Sequence, residues 1–227
     1  MAFYDPMAAV YQGKHFLKFG NLMIDLETLG KTPDAQIILI AAVEFNKYTG
    51  EVGDRFQWWV DATDWGKNGR VIDGETVAWW LEQSDEARQS LKCPYSNCHG
   101  TLLEGIVELR RFYNSHTNPY AYGEVKGDRL VVWGNGSTFD ISMLENAYRS
   151  SGLDVPWDFY SVNDVRTVVD FCPEVKKETA FEGVKHSPLS DCLHQIKYLT
   201  GTIQRLDIPA RELTLKEGET NDKVLGI

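Results

Sequence analysis

Three apolar stretches joined by short turns constrain the fold of this chain more than any other feature. They are "LMIDLE" at residues 22–27, "AQIILIAAVEFN" at 35–46 and "EVGDRFQWWV" at 51–60. Aliphatic, β-branched and aromatic residues predominate in each stretch, as is typical of strands. Strands that follow one another across such short connections usually pair in antiparallel order. We therefore expect this part of the chain to form a three-stranded antiparallel meander.

Apolar residues recur at helical spacing through most of the remaining chain. In the last predicted helix, Ser187 suits the N-cap, Pro188 the first turn and Gly201 the end. An α/β domain is implied, with a mixed central sheet of three antiparallel and then parallel strands, flanked by helices. The predicted elements are helices at 74–91, 101–116, 139–152, 162–172 and 186–201, and a buried strand at 129–136.

Length and composition indicate a single soluble domain. The 227 residues fit one large domain, which we place at 21–205, between a variable N-terminal extension at 1–20 and a C-terminal tail at 206–227.

No apolar run reaches the roughly eighteen residues of a membrane span, and no signal-peptide pattern is present, so we expect a cytoplasmic protein. The four cysteines do not resemble a secreted disulfide framework. A formal charge of −10 disfavours a broad basic surface for nucleic acid, although a small metal-assisted phosphate site is compatible with it.

Two acids stand one residue apart near the end of the first predicted strand. Asp25 and Glu27 project to the same face, because side chains two apart on a strand share a face. An isolated pair is better explained as two solvated acids at a sheet edge. However, we expect Asp140, after the fourth strand, and Asp191, one turn into the last helix, to reach the same edge. Carboxylates at that density suit Mg²⁺ or Mn²⁺, and two such ions about 4 Å apart can cleave phosphodiesters.

His186 lies five residues before Asp191 and just outside the last predicted helix. A lone histidine is more often a surface or cap residue than a catalyst. Beside metal-binding acids, a side chain that titrates near neutrality is a suitable general base.

The four acids and His186 lie in three segments, "DLETLG", "GNGSTFD" and "HSPLSD". In this order they resemble the three motifs of the DEDDh 3′-5′ exonucleases, a superfamily that includes polymerase proofreading subunits, RNase T and oligoribonuclease. The resemblance runs from about residue 21 to 201 and implies the ribonuclease H-like fold. The flanking segments "DVRT", "AWWLEQS" and "VPWDFY" are most similar to phage and prophage exonucleases of the exonuclease VIII-like kind.

The resemblance implies a role for each motif residue. Asp25, Glu27 and Asp140 would bind one divalent ion, with Asp25 bridging to a second, and Asp191 would complete the metal shell. His186 would take a proton from the water that attacks the terminal phosphodiester. The two ions would be Mg²⁺ or Mn²⁺, and the product would be a nucleoside 5′-monophosphate.

Further residues are candidates for substrate contacts. By resemblance, Thr28 and Leu29 would meet the terminal nucleotide, and Asn135 is a third candidate. Here the chain departs from the family, since most members carry Asn four residues before the motif-two Asp and Asn135 lies five before it. Adjacent helical residues diverge by about 100°, so one of the two tryptophans should face the core. We assign Trp80 to the core and keep Trp79 as a candidate for substrate binding. An exposed indole can stack on a base for about 1 to 3 kcal/mol.

The implied function is a metal-dependent 3′-5′ exonuclease acting on single-stranded DNA. An exoribonuclease is the first alternative, because the metal site ignores the sugar. A noncatalytic nucleic-acid-binding module is the second, but it would predict a lost acid or His, and none is missing. A hydrolase that uses Cys192 as nucleophile is disfavoured, since that residue has no activating feature. Family members are often dimers, so a homodimer is also suggested by resemblance.

Overall fold

A mixed six-stranded sheet forms the centre of the computed structural model, which describes residues 19–67, 69–93, 99–117 and 130–208. Its strands are β1 (Gly20–Thr28), β2 (Ile37–Asn46), β3 (Val52–Val60), β4 (His99–Gly100), β5 (Val131–Gly134) and β6 (Val162–Asp164). Their order across the sheet is β4-β3-β2-β1-β5-β6. β2 pairs antiparallel with β1 and β3, whereas β5 pairs parallel with β1 and β6. The predicted meander and mixed sheet are therefore confirmed.

Seven α-helices of the described residues cover both faces of the sheet. They are α1 (Gly74–Leu81), α2 (Asp85–Ser90), α3 (Leu102–Ser115), α4 (Asp140–Ser150), α5 (Val165–Val169), α6 (Pro173–Glu178) and α7 (Pro188–Arg205). Even-numbered residues of β1 such as Ile24 pack with α3 and α4, whereas Met23 packs with α5, α6 and α7. The alternation of β1 between two apolar layers follows from the two-residue period of a strand. None of these helices is long and apolar enough to cross a membrane.

Two predicted helices are divided by residues that act as caps. The helix expected at 74–91 breaks into α1 and α2, because the Ser84 side chain accepts the backbone N–H of Ala87 and begins a new helix. The helix expected at 162–172 begins with strand β6, which pairs with β5. Asp164 then caps α5 by accepting the N–H of Thr167. In both places a capping side chain overrides the apolar spacing.

The last helix differs from its prediction at its C-terminal end. Pro188 is its first residue as expected, and Ser187 occupies the N-cap without a side-chain cap hydrogen bond. Gly201 does not end the helix, which continues to Arg205. A Cβ at Gly201 would lie 2.9 Å from the Val175 side chain, so this glycine serves the close packing of α7 on α6. Residues 1–18 and 209–227 lie outside the described ranges, so the predicted extension and tail stay predictions.

Candidate active site

Asp25 and Glu27 project from β1 toward the sheet face that carries α7. Met23, two residues earlier, belongs to the same apolar cluster as Cys192 of α7, and side chains two apart on a strand share a face. Asp191 lies in the first turn of α7. One carboxylate oxygen from each of these three acids lies within 4.8 Å of the other two. The strand and the helix thus bring together three of the four predicted acids.

Asp140 reaches the same sheet edge from the neighbouring strand. It is the first residue of α4 and is only 4% exposed. Because β5 runs parallel to β1, the C-terminal ends of both strands meet at one edge. The Oδ1 atom of Asp140 accepts a hydrogen bond from the backbone N–H of Leu26 at 3.2 Å. Leu26 stands between Asp25 and Glu27 in the chain, so the fourth acid adjoins the others.

The pKa of every acid in this group is raised. Burial raises the pKa values of Asp25 and Glu27 well above their usual range, and the neighbouring carboxylates raise them further. Burial also raises the pKa of Asp140 to about 7 and that of Asp191 to about 6, although backbone hydrogen bonds oppose both shifts. A crowded set of carboxylate oxygens that holds protons this tightly fits hard divalent cations, which would take the place of the protons.

The raised pKa of Asp140 predicts a stability difference that depends on pH. Without divalent cations, this carboxyl keeps its proton up to about pH 7 in the folded chain and releases it near pH 3.8 when unfolded. The folded state then binds more protons in this window, so its stability falls as the pH rises through it. Asp140→Asn cannot ionise, and at pH 8 in chelator it should be more stable by on the order of 2 to 4 kcal/mol. Urea unfolding of both proteins measures this difference.

Two controls accompany the Asp140→Asn measurement. Near pH 4 the difference should shrink, because most of the Asp140 carboxyl is then protonated in the folded chain and about half of it in the unfolded chain. Adding Mg²⁺ at pH 8 should stabilise the parent chain more than the variant, since a bound ion compensates the buried charge. A variant that is less stable than its parent at pH 8 in chelator would contradict the desolvation of this carboxyl.

Gln195 is a residue of the site that the sequence motifs do not include. Its Nε2 donates a hydrogen bond to Oδ1 of Asp25 at 2.7 Å, and the side chain is 4% exposed. Burial raises the pKa of Asp25, and this hydrogen bond opposes that rise by favouring the charged form. Gln195 follows Asp191 by four residues on α7, which places both side chains on one helix face. The four-residue spacing between Asp191 and Gln195 was the sequence signal that could have identified Gln195 as a residue of the site.

His186 precedes α7 in a left-handed backbone conformation with a φ of 61°. Non-glycine residues in this region cluster at functional sites. Its backbone N–H hydrogen-bonds the Asp191 carboxylate, and its carbonyl accepts from Ser90 Oγ at 3.1 Å. The imidazole stands edge-on to Trp79, with centroids 5.0 Å apart and planes at 86°. Burial and Lys185 lower the His186 pKa, so the ring is neutral at pH 7 and can accept a proton.

A cleft of about 510 Å³ opens beside the acids, and its lining includes Glu27, Trp79 and Phe139. Trp79 is 41% exposed, whereas Trp80 is 5% exposed. The Nε1 atom of Trp80 donates to the backbone carbonyl of Thr28 at 3.0 Å. The assignment of Trp80 to the core is therefore confirmed, and Trp79 presents an aromatic surface to solvent at the cleft.

The predicted substrate contacts at Thr28 and Leu29 have different surroundings. Thr28 lines the cleft, and its Oγ1 donates to the carbonyl of Gly30 at 2.7 Å. Leu29 packs in the core at 5% exposure, and both of its backbone groups are used. Its N–H donates to the carbonyl of Gln36, and its carbonyl accepts from the N–H of Asp73. Thr28 is thus the member of this pair that faces the candidate substrate cleft.

Asn135 lies in the loop between β5 and α4 and is not among the residues that line the cleft. Its Oδ1 is buried and has no hydrogen-bond partner within the described part of the chain. The next residue, Gly136, has a φ of 105°, and a Cβ there would lie 3.1 Å from the guanidinium carbon of Arg166. This close approach explains why glycine occupies the position where most DEDDh members carry Asn.

Cys192 is fully buried in α7 beside Asp191. Burial raises the pKa of its thiol well above the usual range, and the neighbouring carboxylates raise it further. Only a thiolate is an effective nucleophile, and this thiol stays protonated at neutral pH. A Cys192-dependent hydrolase is therefore excluded.

Known proteins resemble this chain in sequence and in fold. A family model described as "3'-5' exoribonuclease Rv2179c-like domain" matches residues 20–203. An exodeoxyribonuclease of Enterobacteria phage T4 is 26% identical over 206 residues, covering 78% of this chain and 86% of the relative.

Two solved structures of nucleases share the architecture. A zinc-bound E. coli ExoI complex with ssDNA superposes with a TM-score of 0.56 at 16% identity, over 82% of this chain and 41% of that protein. The nuclease domain of 3'hExo, a DEDDh family member bound to rAMP, gives a TM-score of 0.51 at 15% identity, over 88% of this chain and 96% of that domain. These likenesses confirm the ribonuclease H-like fold.

Proposed function

Since this chain belongs to the family of 3′-5′ exoribonuclease Rv2179c-like domains, we propose that it is an exonuclease that shortens single-stranded DNA from the 3′ end. One observation carries the proposal. Carboxylate oxygens of Asp25, Glu27 and Asp191 converge within 4.8 Å of one another, and Asp140 is hydrogen-bonded to the strand residue between the first two. In a DEDDh exonuclease this group of acids is what binds the metal.

The four acids hold the divalent ions in this proposal. Asp25, Glu27, Asp140 and Asp191 would hold two divalent ions, Mg²⁺ or Mn²⁺. Such ions supply charge that stabilises the attacking and leaving oxygens of an in-line displacement at phosphorus. Gln195 holds the carboxylate of Asp25 in one orientation through its hydrogen bond.

His186 acts as the general base. Its neutral ring accepts a proton from the attacking water. The hydrogen bond from the backbone N–H of His186 to the Asp191 carboxylate holds His186 beside the acids. The water oxygen bonds to phosphorus as the bond between phosphorus and the 3′ oxygen of the preceding nucleotide breaks. That 3′ oxygen takes up a proton from solvent, and a nucleoside 5′-monophosphate is released.

The cleft receives the terminal nucleotide. Trp79 offers an exposed indole on which an unpaired base can stack regardless of sequence, while Thr28 and Phe139 line the same space. With two divalent ions among the four acids, the site is no longer strongly negative, so a nucleic acid end can approach despite the formal charge of −10.

DNA is the first candidate substrate, and RNA is the second. The phage T4 relative, which this chain matches over most of its length, is an exodeoxyribonuclease. The family description names an exoribonuclease, which favours RNA. Both sugars suit the same metal-binding acids, because the chemistry occurs at the phosphate.

Digestion of 5′-labelled single-stranded DNA and RNA of one sequence tests the proposal. With Mg²⁺ or Mn²⁺, we expect a ladder that shortens from the 3′ end, faster on DNA, and no ladder in chelator. Faster digestion of RNA would assign the enzyme to the second candidate. Intact substrates with both metals would contradict the exonuclease and favour a binding module of the same fold.

Gln195→Leu should weaken the enzyme without unfolding it. Removing the hydrogen bond to Asp25 frees the carboxylate to rotate, and loss of such an orienting partner usually costs about 10 to 100-fold in metal affinity or activity. The Mn²⁺ concentration for half-maximal activity should rise accordingly. Gln204→Leu is the matched control, because Gln204 lies exposed on the same helix and donates to the carbonyl of Tyr48. Equal Mn²⁺ dependence in the two variants would contradict the orienting role.

A further inference from the structure

A second group of potential metal ligands lies on the opposite face of the sheet from the candidate active site. Glu44 is on β2, Asp54 on β3, and His116 directly follows α3. Glu44 alternates with Val43, whose side chain packs on the α7 face, so its own side chain points to the α3 face. It pairs with Leu22 near the start of β1, whereas the catalytic acids stand near the end of that strand. The two groups are therefore separate.

The ring of His116 is oriented by a contact outside the group. Its Nδ1 lies 2.7 Å from the backbone carbonyl of Phe112. A carbonyl only accepts, so Nδ1 carries the hydrogen, and the lone pair of the neutral ring is on Nε2. Nε2 lies 3.1 Å from Oδ2 of Asp54 and 3.6 Å from Oε2 of Glu44. When the ring is neutral, its Nε2 lone pair and these two carboxylate oxygens are thus three acceptors that face one another.

The surroundings of this group favour a positive charge. Glu44 is 5% exposed, and burial raises its pKa. Burial alone would lower the pKa of His116, but the Phe112 carbonyl and the two carboxylates outweigh it and raise that pKa. Among the described residues, neither carboxylate forms a salt bridge with a lysine or an arginine. A cation at this point would satisfy all three side chains.

We propose that Glu44, Asp54 and His116 bind a structural Zn²⁺ ion. Zinc bonds of 2.0 to 2.2 Å in a tetrahedral site place the ligand atoms about 3.3 to 3.6 Å apart, close to the 3.1 and 3.6 Å found here. Zinc-binding histidines typically donate their other ring N–H to a carbonyl or carboxylate, as His116 does to Phe112. Water supplies the fourth ligand.

Zinc at this position would join the C-terminal end of α3 to two strands of the sheet. Near that end of α3, Tyr113 is buried in the core and His116 is half-buried, whereas Asp54 is exposed to solvent. The ion would therefore stabilise the fold without taking part in catalysis. This inference does not depend on the exonuclease function, because none of its three ligands belongs to the acid group.

Zinc binding is measured on the full chain with the catalytic site disabled. The Asp25→Asn/Asp191→Asn variant, loaded with Zn²⁺ and passed through gel filtration, should retain one zinc ion per chain by elemental analysis. Adding His116→Gln should abolish that retention. Co²⁺ in place of zinc should give the strong visible absorption of a tetrahedral ion, and His116→Gln should remove it.

Thermal unfolding provides a second measurement and a check on folding. At a Zn²⁺ concentration about 100 times the Kd, the melting temperature of the double variant should rise by roughly 5 to 10 °C. Asp54→Asn, at an exposed position, should lose that rise while keeping the circular dichroism of its parent in chelator. The proposal is overturned if the double variant retains no zinc, or if His116→Gln retains as much. Either result would leave protonated His116 as the cation that joins the two carboxylates.

Discussion

Asp25→Asn should lower the rate of 3′ end digestion by more than about 10³-fold, because a lost metal ligand costs more than the loss of an orienting partner or of one charge-stabilising donor. Asp25 is adjacent to Asp191 and Glu27 and accepts the hydrogen bond of Gln195. The asparagine has nearly the same shape but offers one weak neutral oxygen. The loss therefore reports metal binding rather than packing.

Calorimetry with Mn²⁺ separates this explanation from a general defect. The parent chain should bind two ions, and Asp25→Asn should bind fewer or bind them much more weakly. Asp170→Asn is a matched control at an exposed carboxylate, and it should behave like the parent in both binding and digestion. Equal Mn²⁺ binding by Asp25→Asn and the parent would refute the ligand role of Asp25.

The acids could be located from the sequence because their positions follow local rules. The two-residue period of a strand puts Asp25 and Glu27 on one face, and parallel pairing brings the helix that begins at Asp140 to the same edge. Both rules need only the residues of one element and its neighbour. The order of the three motifs then identified the family, and the family model confirms it.

Contacts between segments that are far apart in the chain could not be predicted from the sequence. The ring contact of His186 with Trp79 joins residues that are far apart in the chain. The N-cap at Ser84, which begins a second helix, is also concealed by the apolar spacing of 74–91. Likewise, the core position of Leu29 follows from its pairing with Gln36 across a loop. Such features require the packed structure, because no periodicity encodes them.

The buried acids of the candidate active site also show how function opposes stability in this fold. Burial of Asp140 and Asp25 against the sheet raises their pKa values, so each carboxylate destabilises the folded chain at neutral pH unless a cation is bound. A sequence selected for stability alone would place neutral side chains there. The gain in stability expected of Asp140→Asn and the loss of activity expected of Asp25→Asn thus have one physical cause.

His186→Ala should slow digestion by about 10² to 10⁴-fold, the usual contribution of a general base, and should leave Mn²⁺ binding unchanged. Because His186 has a φ of 61°, the alanine also strains the backbone. His186→Asn separates the two effects, since asparagine tolerates this conformation but cannot accept the proton. We expect both variants to lose activity equally.

The pH profile identifies the imidazole as the group responsible. Burial and Lys185 lower the pKa of His186 from its usual value of 6.5. The kcat/KM of the parent should therefore rise with pH through this lowered pKa and level off above it. In His186→Asn, the inflection due to His186 should disappear, leaving only changes from the titrating acids. If His186→Asn kept the activity of the parent while His186→Ala lost it, the backbone conformation beside Asp191, and not the ring, would be what the enzyme requires.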